Sequence, residues 1–327
     1  ALFTFQIDAT ERDVKVRDMF VKVYEPGRQY FSLTTGLFAK PFGFEVNLSS
    51  SVRETPERGR MSQILIPSER GLGSMMSYES PKRNKKKLQL KWDAGVFNGP
   101  GLSGPEEFDS FKDIISRLTL RPYEIAKSVE LSGGLSFYYG GWRQGSGTRY
   151  NMNEQNGAKT FVVTGDGEGS KVPRHYYGAD VQLQKEHGWG KTELRGEYWR
   201  GVQPGTDETT ENPGRLPLGP TYVRNFDGAF FYLLQNIIND KWELVLKYDW
   251  YDPNTDVAQK ELGKQGTNLT GADVKFSTLG VGLTHYINNN LKVILYYDKV
   301  SNEKTDLPSY RADVKDNVLT CRLQISF

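Results

Sequence analysis

Arg53, Arg58, Arg60 and Arg70 stand close together in this chain, interleaved with Glu54, Glu57 and Glu69. A guanidinium presents a planar fork of N–H donors that grips a carboxylate or phosphate with two parallel bonds. The chemistry on offer is therefore reversible anion capture. The plainer reading of the same residues is a solvated or internally salt-bridged segment, each arginine matched with a nearby glutamate. Constellations for covalent chemistry are missing. His175, His187 and His285 are scattered without metal-binding spacing. The run Gly165–Ser170 hints at a calcium loop through Asp166 and Glu168, but no bidentate acid follows at the required offset. Ser103 and the other loop serines sit in no nucleophile elbow, and no glycine-rich phosphate cradle with its lysine appears. The basic run from Lys82 to Lys87 reads as a solvated turn. No catalytic residue, cofactor or metal is expected; the only hint of an enzyme is that His175 and His285 are loose candidates for a rim constellation.

The elements that would position these charges announce themselves by a period of two. From Asp316 to Phe327, the residues Leu319, Cys321, Leu323, Ile325 and Phe327 alternate with Thr320, Arg322, Gln324 and Ser326. A strand with one oily and one wet flank does this. Similar segments are predicted at Leu2–Asp8, Val14–Tyr24, Tyr30–Phe38, Leu72–Glu79, Lys87–Phe97 and Phe111–Arg121. Others follow at Ser128–Gly140, Tyr176–Lys185, Lys191–Arg200, Asn225–Asn236, Trp242–Tyr251, Phe276–Tyr286, Leu291–Val300 and Asn317–Phe327. That makes about fourteen strands, each near the ten residues that a tilted membrane strand needs. Short connections rich in Pro, Gly, Asn and Lys alternate with long ones, including Lys40–Gly71, Gly141–Arg174, Gly201–Arg224 and Asp252–Lys275. Such alternation is the plan of a transmembrane antiparallel β-barrel, with short periplasmic turns and long outer loops.

Composition agrees. Only 37% of the 327 residues are hydrophobic, yet 13% are aromatic, with 18 Tyr, 17 Phe and 34 Gly. The mean hydropathy is −0.59, so no stretch resembles a membrane helix of about 20 apolar residues. A net charge of +2 does not suggest a nucleic-acid partner. The single cysteine, Cys321, excludes an internal disulfide framework and fits a small apolar strand position. No signal peptide opens the chain, as expected of a mature or trimmed exported protein. Phase follows from cost. A Lys or Arg facing lipid at mid-depth costs about 2–4 kcal/mol, so the charged face of each strand is expected to line the lumen. Leu88, Leu90, Trp92, Ala94 and Val96 would then face lipid, as would Trp242, Leu244, Leu246, Tyr248 and Trp250. Trp250, Tyr297 and Phe327 lie at strand ends, where an interfacial aromatic girdle belongs.

The stretch from Val14 to Gly73 resembles the phosphate-selective porin O/P family, particularly its Bacteroidetes-type members. The resemblance is carried by Val16–Val23, by Thr35–Glu45 with its Lys40-Pro41-Phe42-Gly43 block, and by Glu69-Arg70-Gly71-Leu72-Gly73. Leu279–Ile287 with its Asn288-Asn289-Asn290 turn, and the terminal strand, also fit. The resemblance implies a barrel of sixteen strands, usually trimeric, with a constriction loop folded into the lumen. The chain would then begin at the family's third strand, with two N-terminal strands missing, the alternative being a member that closes with fourteen. Residues 1–327 would form a single barrel domain, and segment 40–71 is the candidate constriction loop.

Family members selective for phosphate line the pore with Arg and Lys. Here the inward cations are expected to be Lys22, Lys40, Lys91, Arg117, Arg121, Arg195, Lys247, Lys292 and Arg322. Against them stand Asp8, Asp18, Asp93, Glu130, Asp180, Glu193, Glu197, Asp227, Glu243, Asp249 and Asp298. The wall is nearly balanced, with no ladder of one sign, which departs from the phosphate-selective pattern. The expected activity is passive diffusion of small hydrophilic solutes across the outer membrane of a Gram-negative bacterium. Anions such as phosphate are favoured through Arg53, Arg58 and Arg60. Partners would be outer-membrane lipid, further copies in a homotrimer and other envelope proteins. The alternative is a structural barrel whose long loops dock a partner in a larger envelope complex.

Overall fold

Side chains alternate across a pleat, so a single strand can face two different solvents at once. The computed structural model describes residues 1–9, 14–81, 85–99, 109–165 and 167–325. It contains sixteen strands. They are β1 (Leu2–Ala9), β2 (Val14–Tyr24), β3 (Phe31–Ala39), β4 (Arg70–Glu79), β5 (Leu90–Asn98) and β6 (Lys112–Ala126). Then come β7 (Val129–Arg143), β8 (Arg149–Gln155), β9 (Ala158–Val163), β10 (Lys171–His187) and β11 (Gly190–Gly205). The chain continues through β12 (Thr221–Asn236), β13 (Trp242–Asp252), β14 (Phe276–Asn288), β15 (Leu291–Asn302) and β16 (Val318–Ile325). One six-residue helix, α1 (Arg60–Leu65), interrupts the connection between β3 and β4.

Fourteen of these strands form the wall. Neighbours along the chain pair antiparallel from β1 to β7 and from β10 to β16, with β7 joined directly to β10. β1 and β16 stand at the two ends of this path. Connections 25–30, 80–89, 127–128, 188–189, 237–241 and 289–290 turn back at one end of the barrel. Longer connections, among them 40–69, 144–170, 206–220, 253–275 and 303–317, gather at the other. Every strand expected from the periodicity is present.

Segment 141–174 differs from its expected form as a plain loop. It holds the ends of β7 and β10 and the hairpin β8–β9, which pairs antiparallel within itself and adds β8 parallel to the start of β12. The hairpin turns on Asn156 and Gly157, both at positive φ (53° and 74°), the geometry of a tight two-residue turn that Asn-Gly favours. The expected calcium-like run includes Asp166, and the basic run includes Lys82 and Arg83; these residues, with Ser103 and Phe327, lie outside the described ones.

The two faces separate as expected. Along β13, Lys247 is 4% exposed and its neighbour Tyr248 46%. Leu194, Leu295, Leu323 and Val281 likewise stand exposed on the outside, and Cys321 joins them. Asp227 is the exception. It lies on the outer face, accepting hydrogen bonds from the Tyr198 hydroxyl (3.3 Å) and the Trp250 indole N–H (3.1 Å). The inward positions of β12 are taken by Phe226, Phe230, Tyr232 and Leu234, all buried. Charge marks the wet face only where the interior is wet, and beside β12 the interior is packed.

Candidate functional site: the inward segment between β3 and β4

Five apolar residues of segment 40–69 explain why it does not extend into solvent. Phe42, Val46, Met61, Leu65 and Ile66 are buried against the wall residues Phe38, Phe97, Ile115, Tyr138, Tyr176, Trp199, Phe226 and Tyr251. Phe42 is the centre of this contact. Its ring meets Trp199 edge-on at 4.8 Å between centroids and lies 6.1 Å from both Tyr138 and Tyr176. Edge-to-face aromatic pairs contribute about 0.5–1.5 kcal/mol each beyond the area they bury. The segment crosses the interior from β3 and fills much of it beside β7 and β10–β13.

Polar ties hold what the apolar contacts place. Glu45 accepts from the Gly59 backbone N–H at 2.9 and 3.0 Å, from the Ser62 hydroxyl at 2.6 Å and from the Tyr232 hydroxyl at 2.7 Å. Its carboxylate therefore caps α1, whose N-cap residue, Gly59, offers no side chain for the purpose. At the far side of the segment, Arg195 of β11 holds Glu54 through two bonds of 2.8 and 3.0 Å. Lys292 of β15 donates to the carbonyls of Ser51 (3.1 Å) and Arg53 (3.2 Å). Arg322 of β16 donates to Pro56 O at 3.0 Å, and Gln324 to the carbonyls of Ser50 and Ser51. Backbone carbonyls of 50–56 thus replace water around the wall cations.

The cations expected to line the lumen fall into two groups. Lys91 pairs with Asp93 (2.8 Å), Arg117 with Asp180 (2.6 Å), Arg121 with Glu79 (2.6 Å) and Lys247 with Asp249 (3.2 Å). Arg195 is taken by Glu54 and Glu193, and Arg58 by Glu69. These charges cancel locally. Arg53 instead donates to the carbonyls of Thr55 and Pro56, and Arg60 lies 4.1 Å above the Phe276 ring. Among the described residues, no carboxylate stands within ion-pair distance of Arg53, Arg60 or Arg322. Lys40 is buried with its stem against Gly71. Burial pushes its ammonium down to about 8, helped by the Arg174 cation and opposed by Asp113. Of the three loop arginines, the interior leaves Arg53 and Arg60 without a carboxylate in direct contact and pairs Arg58 with Glu69.

Lys292 was expected only as one wall cation among many, yet it shares the carbonyl edge of 50–56 with Arg322. Two acids that periodicity placed inward turn out to touch the segment: Glu197, through backbone N–H groups, and Asp249, through Lys247. The signal available in the sequence was parity alone, which gives a face but no partner.

Above the wall, the long loops close into a second packed unit. Phe161, Tyr222, Val257, Leu262, Leu269 and Val274 form its centre. Arg224 is wholly buried there, bonded to Asp273 at 2.7 Å and lying over the rings of Phe161 and Tyr222. This dome leans over α1, since the Asn212 N–H donates to Ile64 O.

Comparison with known proteins places this geometry. Residues 223–327, covering most of β12 and the wall through β16, match the family described as phosphate-selective porin O and P. The Lys40–Gly43 block lies outside the matched region. Among solved structures, a high-pH structure of OprB from Pseudomonas putida is similar at 12% identity, covering 96% of this chain and 73% of that one with a TM-score of 0.61. OmpT of Vibrio cholerae, an outer membrane protein, is 12% identical over 94% of this chain and 77% of that one, with a TM-score of 0.47. No curated protein matches the chain. The fold is that of an outer-membrane β-barrel, and the C-terminal third of the chain is similar in sequence to the phosphate-selective porin O and P family.

Proposed function

We propose that this protein is a porin of the Gram-negative outer membrane, passing small hydrophilic solutes by diffusion through an interior narrowed by segment 40–69. The observation that carries the reading is the combination of an apolar outer face with an inner face of ionic side chains, and a connecting segment packed inside rather than outside. Water-filled barrels sort solutes by width and by the charge their walls leave uncancelled. Most of the wall's acids and bases pair, Glu243 and Asp298 excepted, and beside the segment the field comes from Arg53, Arg60 and Arg322, with Lys292 next to them. All four are positive, which supports a modest preference for anions, phosphate included. Such a preference is weaker than an unbroken ladder of cations would give. Assembly into a homotrimer within outer-membrane lipid belongs to the same reading.

Swelling of liposomes loaded with the protein, in isotonic solutions of sugars of increasing size, tests the reading. Rates should fall steeply with solute size, and no swelling with the smallest sugar would overturn it. A second reading has one observation in its favour, the closed and well-packed dome around Tyr222 and Arg224. In that case the barrel is a platform whose loops dock another envelope protein, and folded barrel would conduct nothing.

A further inference from the structure

Three successive backbone N–H groups of the inward segment point at the wall. Gly43 N–H donates to the Ser136 hydroxyl oxygen at 3.0 Å, Phe44 N–H to Glu197 Oε1 at 2.8 Å and Glu45 N–H to Glu197 Oε2 at 3.0 Å. Gly43 sits at φ +69°, in the left-handed region, and Phe44 is right-handed at φ −93°, ψ −54°. This left-then-right succession turns consecutive N–H groups to one side and makes a concavity for an anion, the backbone nest. An intramolecular carboxylate fills it. The Trp199 indole N–H adds a further donor to Glu197 Oε1 at 2.6 Å. Arg117 supports the rim, donating to the same Ser136 hydroxyl at 2.8 Å while paired with Asp180.

We infer that Glu197 is the positioning residue that fixes the first half of the inward segment in the lumen, by occupying the nest at Gly43–Glu45. This rests on the reading of segment 40–69 as the constriction of a diffusion pore. Glu197 takes no part in holding the wall, because β11 pairs with β10 and β12 through backbone ladders on both sides. Its side chain serves the segment and Trp199. The second tie, Glu54 to Arg195, holds a different stretch of the segment through a different side chain of β11. Loss of the carboxylate should therefore loosen the backbone at Phe44 and Glu45 while leaving the barrel and residues 50–56 in place. The glycine is specified by the same contact. A Cβ on Gly43 would lie 2.6 Å from Glu197 Oε1 and 2.7 Å from the Trp199 ring, and its φ disfavours any L side chain.

The test is hydrogen exchange on the full chain in detergent micelles, beside single-channel recording of the same samples. In Glu197→Ala, exchange at the Phe44 and Glu45 amides should rise about tenfold or more, as expected for losing charge-assisted bonds, with wall amides unchanged. Added formate, which fits the vacated nest, should restore their protection. Gly43→Ala attacks the nest from the segment's side and should reproduce the loss, which keeps the test valid should Glu197→Ala fail to fold. The conductance step should grow in both variants, with added current noise. Unchanged exchange at Phe44 and Glu45 in a folded Glu197→Ala barrel would overturn the inference. Wild-type protein that conducts nothing, yet gives the expected exchange pattern, would instead overturn the porin reading and leave the latch standing.

Discussion

Arg195 shows how a charge that looks available for solute is committed to structure. It lies buried between Glu54 and Glu193, and its two bonds to Glu54 join β11 to the inward segment. Breaking a buried pair by removing one partner strands the other charge, at a cost of about 3–5 kcal/mol. Arg195→Ala should lower the urea midpoint of the barrel in detergent and loosen segment 50–56, whereas the double variant Arg195→Ala/Glu54→Gln should recover part of the loss. The reverse holds for cations without a carboxylate. Arg53→Ala, Arg60→Ala and Arg322→Ala combined should move ion preference toward cations, while Arg121→Ala, which frees Glu79, should shift it by no more than one of the three taken singly. Parity in the sequence placed the wall cations and loop length singled out Arg53, Arg58 and Arg60, but neither could separate these groups. Arg58 and Glu69 are eleven positions apart and meet only because the segment folds back. Arg53 turns to carbonyls two and three residues ahead, a choice made by the enclosure around it.

Strands were the most legible elements, because membrane and lumen impose opposite demands on neighbouring side chains. Their ends were less so. β7 and β10 run on past the expected Gly140 and Tyr176 to Arg143 and Lys171, where Gly141 and Pro173 interrupt the oily flank and alternation fades. The hairpin β8–β9 escaped for the same reason. Its first strand, Arg149–Gln155, is nearly all polar, and the one signal of a hairpin there is the Asn156-Gly157 pair. Asp227 was misplaced inward because charge had been taken as the mark of the lumen, whereas the lumen beside β12 is filled with Phe226, Phe230 and Tyr232. At this scale the turn is the sensitive point. Gly157→Ala places a Cβ at φ +74°, a strain of about 1–2 kcal/mol. It should speed exchange across β8 and β9 without touching the wall strands, and a variant whose wall loosened equally would show that hairpin and wall unfold together.

The whole molecule is organised as two interiors stacked along one barrel: a lumen crossed by segment 40–69, and a dome of outer loops above it. The outside is predominantly apolar at the waist, and this can be probed directly. Leu246→Arg, at the middle of β13 on the outer face, should cost about 2–4 kcal/mol in refolding titrations from urea into liposomes. Thr320→Arg, inward on β16 where its side chain is only half-buried, should cost much less. Cys321 offers a native reporter of the same asymmetry. A fluorophore attached there should be quenched by lipids brominated on their acyl chains and remain insensitive to iodide in water.

Ion flow through single barrels in a planar bilayer, under a salt gradient of potassium chloride, tests the central claim most directly. Discrete, ohmic steps are predicted, with a reversal potential displaced modestly toward that of chloride and brought back toward zero by the Arg53/Arg60/Arg322 triple substitution. Folded protein that inserts without conducting would contradict the account, and so would steps whose reversal potential lies firmly on the potassium side.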